Sequence, residues 1–274
     1  MKLTFTVEKD ASMRLDEYLY HQHISKKLVK DTRNHGTILV NGEPSFLNRI
    51  VKEDDEVTVI FPKETSQVIP VDIPFKIVYE DEYLMVVDKP AGLATIPNRM
   101  YLTESLGNAI MFYYQQHHID SAIHFVNRLD KDTSGLMLVA KSRYVHDFYS
   151  RDIKKVKRIY HAIVEGHPGD GDIEQPIAHA PDHATRRMVD PNGVYALTHY
   201  RTLENYEDSS LIECILETGR THQIRVHLAS IGHPLVGDPL YNEQEGQFYL
   251  DSVEITFPHP FTKQMMTFKK GLTQ

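Results

Sequence analysis

The first 60 residues combine a helical pattern with two strand-like runs. Apolar residues recur between positions 15 and 29 at spacings compatible with two short helices, with Ser25 as the expected N-cap between them. Thr37–Val40 and Glu56–Ile60 are rich in β-branched residues, and Asn41-Gly42 predicts a tight turn after the first. A unit this small has no room for a deep pocket, so the pattern favours a binding module.

A proline-bearing stretch separates this unit from the rest of the chain. Residues 62–74, PKETSQVIPVDIP, carry three prolines and no helical period, which is typical of a linker. We therefore predict an N-terminal unit over residues 1–66, a linker over 67–74 and a larger domain over 75–274.

The larger domain alternates strand-like runs with a few helices. Strands are predicted over 75–79, 83–87, 135–140, 158–165, 211–217, 253–257 and 265–269. Helices are predicted with Thr103, Ser142 and Thr221 as N-caps. Hairpins mixed with helices predict an α+β fold, in which the larger domain has a mixed, largely antiparallel sheet flanked by helices and loops.

Composition narrows the class of protein. The 274 residues are 41% hydrophobic and 25% charged, values that are ordinary for a globular chain. No run approaches the roughly 20 apolar residues of a membrane span, and no secretory signal pattern is visible, so we expect a cytoplasmic protein. The single cysteine, Cys214, excludes an internal disulfide and every multi-cysteine metal site.

The net charge of −8 argues mildly against a nucleic-acid partner, but local patches decide binding. Two stretches are basic, although the chain as a whole is acidic. The first contains Lys26, Lys27, Lys30 and Arg33 against one acid. The second runs from Lys141 to Arg158 and contains seven basic residues against two acids. Taken alone, either stretch is equally well explained as a solvated helix face.

Two motifs carry candidate chemistry. In NRLDKDTSG, residues 127–135, Asp130 lies on a loop before a buried strand, where a fixed carboxylate can act as a nucleophile or general base. Asp132 is an alternative reactive acid, and a turn or an ion pair with Arg128 is a third explanation. Downstream, Arg220 and Arg225 flank the first turn of a predicted helix, an arrangement that grips phosphate or a carboxylate, or is simply a capped helix with surface arginines.

The N-terminal unit resembles the S4 RNA-binding domain over about residues 12–62. The resemblance rests on five segments: Arg14-Leu15-Asp16, Ser25-Lys26-Lys27, Gly36, Leu39-Val40-Asn41-Gly42 and Asp54 to Val59. It implies that Lys26, Lys27, Lys30 and Arg33 face RNA phosphates, which attract positive charge without reading sequence.

The domain over 75–274 resembles the RluA family of RNA pseudouridine synthases. Four ordered segments carry the resemblance: LMVVDKPAGL (84–93), NRLDKDTSGLMLVAKS (127–142), KRIYHAIVEG (157–166) and GRTHQIRVHLASIGHPLVGDPLY (219–241). It implies an isomerase that converts uridine to pseudouridine in RNA, needs no cofactor and no metal, and requires no obligatory protein partner.

The same resemblance implies roles for individual residues. Asp130 is the expected catalytic aspartate, Tyr160 the active-site tyrosine and Arg225 the basic partner of the aspartate. Arg128 is expected to help hold the target nucleotide outside the RNA stack, because the glycosidic bond is unreachable inside a helix. Arg220 and His222 are expected to contact the substrate.

Three alternatives remain open at this stage. A metal enzyme is conceivable because the chain has 16 histidines, among them His179 and His183, and His222 and His227 near Asp238. A non-catalytic S4-type RNA-binding protein would keep the basic stretches but not the catalytic residues. Ribosomal large-subunit RNA is the favoured substrate, and transfer RNA is the alternative.

Overall fold

A computed structural model describes residues 1–271 of the chain. The N-terminal unit consists of β1 (Lys2–Thr6), β2 (Ser12–Arg14), α1 (Leu15–His21), α2 (Lys26–His35), β3 (Thr37–Val40), β4 (Glu43–Pro44), β5 (Ile50–Lys52) and β6 (Glu56–Ile60). Four strands form a sheet in the order β1-β6-β3-β4, and β2 pairs with β5.

Local sequence accounts for the boundaries within this unit. The Ser25 hydroxyl accepts a hydrogen bond from the Leu28 amide at 3.2 Å and so caps α2, as predicted. Asn41 and Gly42 have φ values of 55° and 82°, the positive angles that a two-residue primed turn requires. The predicted turn and both predicted strands are therefore confirmed.

The larger domain begins after an extended segment that has no regular secondary structure from Phe61 to Phe75. Its elements are β7 (Lys76–Glu80), β8 (Leu84–Lys89), α3 (Leu106–Gln116), β9 (His124–Phe125), β10 (Ser134–Ala140), α4 (Arg143–Ser150), β11 (Lys157–Glu165), β12 (Gly171–Glu174), β13 (Ile177–His179), β14 (Arg187–Val189), β15 (Leu197–Asn205), β16 (Ser209–Leu216), α5 (Gln223–Ser230), β17 (Leu250–Pro258) and β18 (Met265–Lys269). A 3₁₀ turn, Ile153–Lys155, joins α4 to β11.

One large sheet organises this domain. Its strands follow the order β12-β15-β16-β11-β17-β10-β8-β7, with β18 paired to β17 and β9 paired to β10. The pair β10–β17 is parallel and the other pairs of this sheet are antiparallel. The predicted α+β class with a mixed, largely antiparallel sheet is thus confirmed.

The parallel contact between β10 and β17 depends on Gly135. Its φ is +112°, and a Cβ atom there would lie 2.4 Å from the Ser252 carbonyl oxygen. Only glycine tolerates both the backbone conformation and this approach. The Thr-Ser-Gly of the NRLDKDTSG motif therefore lets the loop that carries Asp130 lie against the central strand β17.

Two of the predicted helix starts are displaced. Helix α3 is capped by Ser105 rather than Thr103, because the Ser105 hydroxyl accepts a hydrogen bond from the Asn108 amide. Helix α5 begins after His222 rather than Thr221, and no side chain caps it. His222 has a left-handed backbone with a φ of 57°. Within residues 1–271, no helix has the length and apolarity that crossing a membrane requires.

The two units share one hydrophobic core across their boundary. Phe61 stacks on Tyr144 of α4 with ring centroids 5.8 Å apart, and the Tyr144 hydroxyl donates to the Gln22 carbonyl at 3.1 Å. The Ser25 hydroxyl that caps α2 donates to the Asp147 carboxylate. Helix α4 therefore serves as the docking surface for the N-terminal unit.

Candidate active site

A cleft of about 820 Å³ opens between the loop 127–133, strand β11 and the start of α5. This volume lies within the range typical of small-molecule sites. All six residues of the larger domain that were predicted to act on the substrate line it: Asp130, Tyr160, Arg225, Arg128, Arg220 and His222.

Buried hydrogen bonds hold the loop on both sides of Asp130. The ammonium group of Lys89, which is fully buried, donates to the carbonyl of Lys131 at 2.9 Å and to two further carbonyls. The Thr95 hydroxyl donates to the carbonyl of Leu129 at 2.6 Å. Burial lowers the pKa of Lys89 to about 8, while the nearby charges of Asp132 and Asp130 favour its protonated form. The neighbours of Asp130 are thereby fixed on either side.

The Asp130 carboxylate itself is held only loosely. Its side chain is 28% exposed, and within residues 1–271 it accepts no hydrogen bond. The nearest basic side chains are Arg225, with Nη1 3.8 Å from Oδ2, and His222, with Nε2 3.9 Å from Oδ2. Asp132, the alternative acid, is not among the residues that line the cleft. The fold therefore presents one carboxylate of the pair to a ligand.

Arg225 is fixed by an acid that sequence reasoning gave no role in this site. The fully buried carboxylate of Asp238 accepts two hydrogen bonds from the guanidinium, at 2.7 Å from Nε and 2.6 Å from Nη2. Burial opposes the charge of Arg225, yet the bonds to Asp238 hold the pKa of the guanidinium above its ordinary value. The rings of Tyr241 and Phe248 lie 5.2 and 5.5 Å from the guanidinium carbon. This arrangement leaves Nη1 directed at Asp130.

Tyr160 lies on β11 with its side chain in the wall of the cleft and only 4% exposed. The pairing of β11 with β17 shifts by one residue between Ile159 and Tyr160, a β-bulge of the kind that re-aims side chains near sites. Burial raises the pKa of Tyr160; the charge of Arg158 opposes this rise and that of Asp130 adds to it. The phenol is therefore protonated at neutral pH.

Arg158 belongs to the cleft rather than to the surface. It is the last residue of the basic stretch from Lys141 to Arg158, but its side chain is only 5% exposed and lines the cleft. Its buried Nε has no hydrogen-bond partner among residues 1–271. A Cβ atom on Gly219 would lie 3.2 Å from Nη1, so the glycine leaves room for this guanidinium. The available signal was the spacing of two from Tyr160, which puts both side chains on one face of β11.

The remaining predicted residues lie in three places. Arg128 and Arg220 are exposed at the rim of the cleft, and Arg220 donates to the Tyr195 carbonyl at 2.9 Å. His222 lies deeper, 2.9 Å from the Tyr241 hydroxyl, and burial lowers its pKa. The four basic residues of the N-terminal unit lie outside the cleft, exposed on α2: Lys26, Lys27, Lys30 and Arg33.

The histidines named in the metal-enzyme alternative contact other groups. Both ring nitrogens of His179 lie 2.9 Å from backbone carbonyls. The ring of His227 bonds to the Thr198 hydroxyl and the Gln175 carbonyl. No group of three or more potential metal-ligating side chains occurs in the part of the chain that the structure describes.

Comparison with known proteins decides the family. Residues 83–230 match the family described as RNA pseudouridylate synthase. The chain belongs to this family. It is therefore an RNA pseudouridine synthase, an isomerase that acts on RNA.

Relatives in bacteria match most of the chain. The uncharacterized RNA pseudouridine synthase YjbO of Bacillus subtilis is 38% identical over 272 residues, which cover 96% of each chain. The ribosomal large subunit pseudouridine synthase D of Escherichia coli O6:H1 is 37% identical over 88% of this chain and 76% of its own. The enzyme of that name from Nitrosomonas europaea is 48% identical over 62% of this chain and 50% of its own. These matches confirm the RluA-type resemblance, whereas the S4-like assignment stays a prediction.

The fold also matches a solved structure. Human RNA Pseudouridylate Synthase Domain Containing 1 superposes with a TM-score of 0.59 at 24% identity, covering 76% of this chain and 86% of that one. At this identity the match concerns the fold alone.

Proposed function

We propose that this synthase converts uridine to pseudouridine in large-subunit ribosomal RNA, with Asp130 as the catalytic carboxylate. The observation that carries the catalytic assignment is the Asp130 carboxylate, which lies in the cleft without a hydrogen bond inside residues 1–271 and 3.8 Å from a buried guanidinium. The choice of RNA is supported by the names of the relatives in Escherichia coli and Nitrosomonas europaea.

Asp130 acts on the ribose of the target uridine. It either attacks C1′ or removes the 2′ proton, and the bond between C1′ and N1 breaks. The detached base turns over, C5 bonds to C1′, and the proton on C5 leaves while N1 gains one. No atom is lost from the product, so the reaction consumes no second substrate.

The neighbours of Asp130 serve this chemistry in different ways. The guanidinium of Arg225, with Nη1 3.8 Å from Oδ2 of Asp130, attracts the carboxylate and helps to position it against the ribose. Tyr160 stacks against the base and helps to remove the C5 proton after C5 has joined C1′. The guanidinium of Arg158, on the same face of β11, opposes the rise that burial causes in the pKa of this phenol.

The target nucleotide enters the cleft only when it leaves the RNA stack, which costs on the order of a few kcal/mol. Arg128, exposed at the rim, helps to hold it outside the helix, while Arg220 and His222 contact the substrate inside and beside the cleft. Lys26, Lys27, Lys30 and Arg33 on α2 bind phosphates away from the reacting base, as an S4-like unit would.

Pseudouridine mapping tests the proposal. Total RNA is sequenced after pseudouridine-specific modification from cells with the gene, cells without it, and deleted cells that carry the wild-type or the Asp130→Asn protein. We expect one or a few large-subunit sites to disappear on deletion and to return only with the wild-type protein. Loss of sites only from transfer RNA would mean that transfer RNA, and not large-subunit ribosomal RNA, is the substrate. Recovery of the lost sites with the Asp130→Asn protein would contradict the role of Asp130.

A further inference from the structure

A second group of basic side chains lies at the boundary between the N-terminal unit and the larger domain. We call it the seam cluster, and it consists of His23, Arg151, Lys155 and Lys263. Lys155 and Lys263 place their ammonium nitrogens 4.9 and 4.7 Å from the centre of the Phe148 ring. The ring of His23 meets the edge of the same phenylalanine, with centroids 6.0 Å apart. Two ammonium groups and one imidazole, from three parts of the chain, thus surround one ring.

No acid neutralises this cluster. Among residues 1–271, none of its four members lies within ion-pair distance of a carboxylate. Lys263 donates to the carbonyl of Pro260 at 2.6 Å, which holds its ammonium in place without cancelling its charge.

The charges of the cluster act on one another. Burial lowers the pKa of His23, and the charges of Lys263, Arg151 and Lys155 lower it further. Burial and the charge of Lys155 also lower the pKa of Lys263. The charges of Arg151, Lys155 and Lys263 lie close together, although the net charge of the chain is −8. They create a local positive potential, and a bound anion would reduce the repulsion between them.

The seam cluster adjoins the active-site cleft. Ile153 and Lys154 of the 3₁₀ turn line the cleft, and the next residue, Lys155, belongs to the cluster. Lys154 and Lys155 are neighbours in the chain, with Cα atoms about 3.8 Å apart, so the backbone of Lys155 borders the cleft. On the opposite side, His23 lies three residues before Lys26, the first residue of α2.

We propose that the seam cluster binds phosphates of the substrate RNA beside the target nucleotide, so that one strand contacts both units at once. This inference rests on the proposed function. Phosphate is the favoured ligand because lysine ammonium groups act as compact point charges, which suit phosphate oxygens. Phe148 is only 5% exposed, so its ring is not available for a base to stack on, and contacts to phosphates carry no base preference.

A binding experiment tests the seam cluster without relying on catalysis. The probe is a fluorescein-labelled RNA hairpin, and its dissociation constant is measured by fluorescence anisotropy at several salt concentrations. The test variant is Lys155→Gln/Lys263→Gln. The matched control is Lys9→Gln/Lys76→Gln, which removes two exposed lysines that have no carboxylate partner within residues 1–271. Thermal unfolding of each variant checks that the fold is unchanged.

We expect the seam variant to bind the hairpin about tenfold more weakly, with a salt slope shallower by about 1.5, because two phosphate contacts are lost. The control should match the wild type. Equal loss in both variants, or wild-type affinity and slope in the seam variant, would overturn the proposal. Arg151→Gln supplies a second arm, in which a loss of about threefold is expected and no loss counts against the site.

A negative result for the seam cluster can be distinguished from a negative result for the proposed function. With a large-subunit ribosomal RNA transcript as substrate, the seam variant should keep the maximal rate, but its half-saturating RNA concentration should rise about tenfold. A wild-type protein that binds the hairpin but forms no pseudouridine in that transcript contradicts the proposed substrate, while the binding comparison still decides the seam cluster.

Discussion

The cleft and the exposed face of α2 carry the same kinds of cation but hold them in opposite ways. In the cleft, Arg225 is 3% exposed and bonded twice to a buried carboxylate. On α2, Lys27 and Lys30 are exposed and have no carboxylate partner in the described chain. A fixed, desolvated charge can act on a reacting group, whereas a mobile, solvated one attracts a polyanion. The two regions should therefore control different kinetic constants.

The largest effect should come from the acid at the centre of the cleft. Asp130→Asn keeps the shape of the side chain but removes its charge, so we expect pseudouridine formation to fall by at least about a thousandfold while RNA affinity is kept. Tritium release from RNA labelled at C5 of uridine measures the rate. Asp132→Asn is the matched control, and it should lose less than about tenfold. If Asp132→Asn lost more activity than Asp130→Asn, Asp132 rather than Asp130 would be the catalytic acid.

The next effect should come from the phenol of Tyr160. Tyr160→Phe keeps the ring and removes the hydroxyl, so we expect the single-turnover rate to fall about a hundredfold, with little change in RNA affinity. Tyr114→Phe is the control, because the Tyr114 hydroxyl is equally buried, lies outside the cleft and has no hydrogen-bond partner within residues 1–271. Equal rates in the two variants would remove the proton-transfer role from Tyr160.

Substitution of Asp238 tests whether the fixed position of the Arg225 guanidinium matters for both rate and stability. Asp238→Asn leaves Arg225 buried with one distant acid, so we expect the rate to fall about a hundredfold because the guanidinium shifts. The free energy of unfolding should fall by about 3 kcal/mol, since a buried charge loses its partner. Single-turnover kinetics and urea titration measure the two effects.

A double variant separates these two effects. Arg225→Met/Asp238→Asn removes both charges, so most of the lost stability should return while the rate stays at least about a hundredfold below that of the wild type. If Asp238→Asn were as stable as the wild type, the pairing with Arg225 would not be what holds the guanidinium.

The smallest effect on rate should come from α2. Lys27→Gln/Lys30→Gln should leave the maximal rate unchanged and raise the half-saturating RNA concentration about fivefold, with a shallower salt dependence. Steady-state kinetics with ribosomal RNA measures both constants, and Lys9→Gln/Lys76→Gln is again the control. A fall in maximal rate without a change in half-saturation would contradict the division of labour between α2 and the cleft.

Whether a predicted element agrees with the observed one depends on how far along the chain the deciding interaction reaches. Ser25 is the cap that the sequence predicts because its bond reaches only three residues along the chain. The start of α3 is displaced because a competing cap, Ser105, lies two residues after Thr103, whereas α5 begins after the left-handed His222 without a side-chain cap from the described part of the chain. Local patterns therefore identify an element more securely than its end.

The amino-acid sequence determined the α+β class and the motifs that assign the chain to its family, because these depend on periodicity and on residues close together in the chain. Tertiary structure alone decided which acid of the pair enters the cleft, that Asp238 holds Arg225 from 13 residues away, and that Arg158 is buried. It also decided that His23 meets Lys155 and Lys263 around Phe148. Each of these contacts joins segments whose separation no local spacing encodes, so only the packing of the core brings them together.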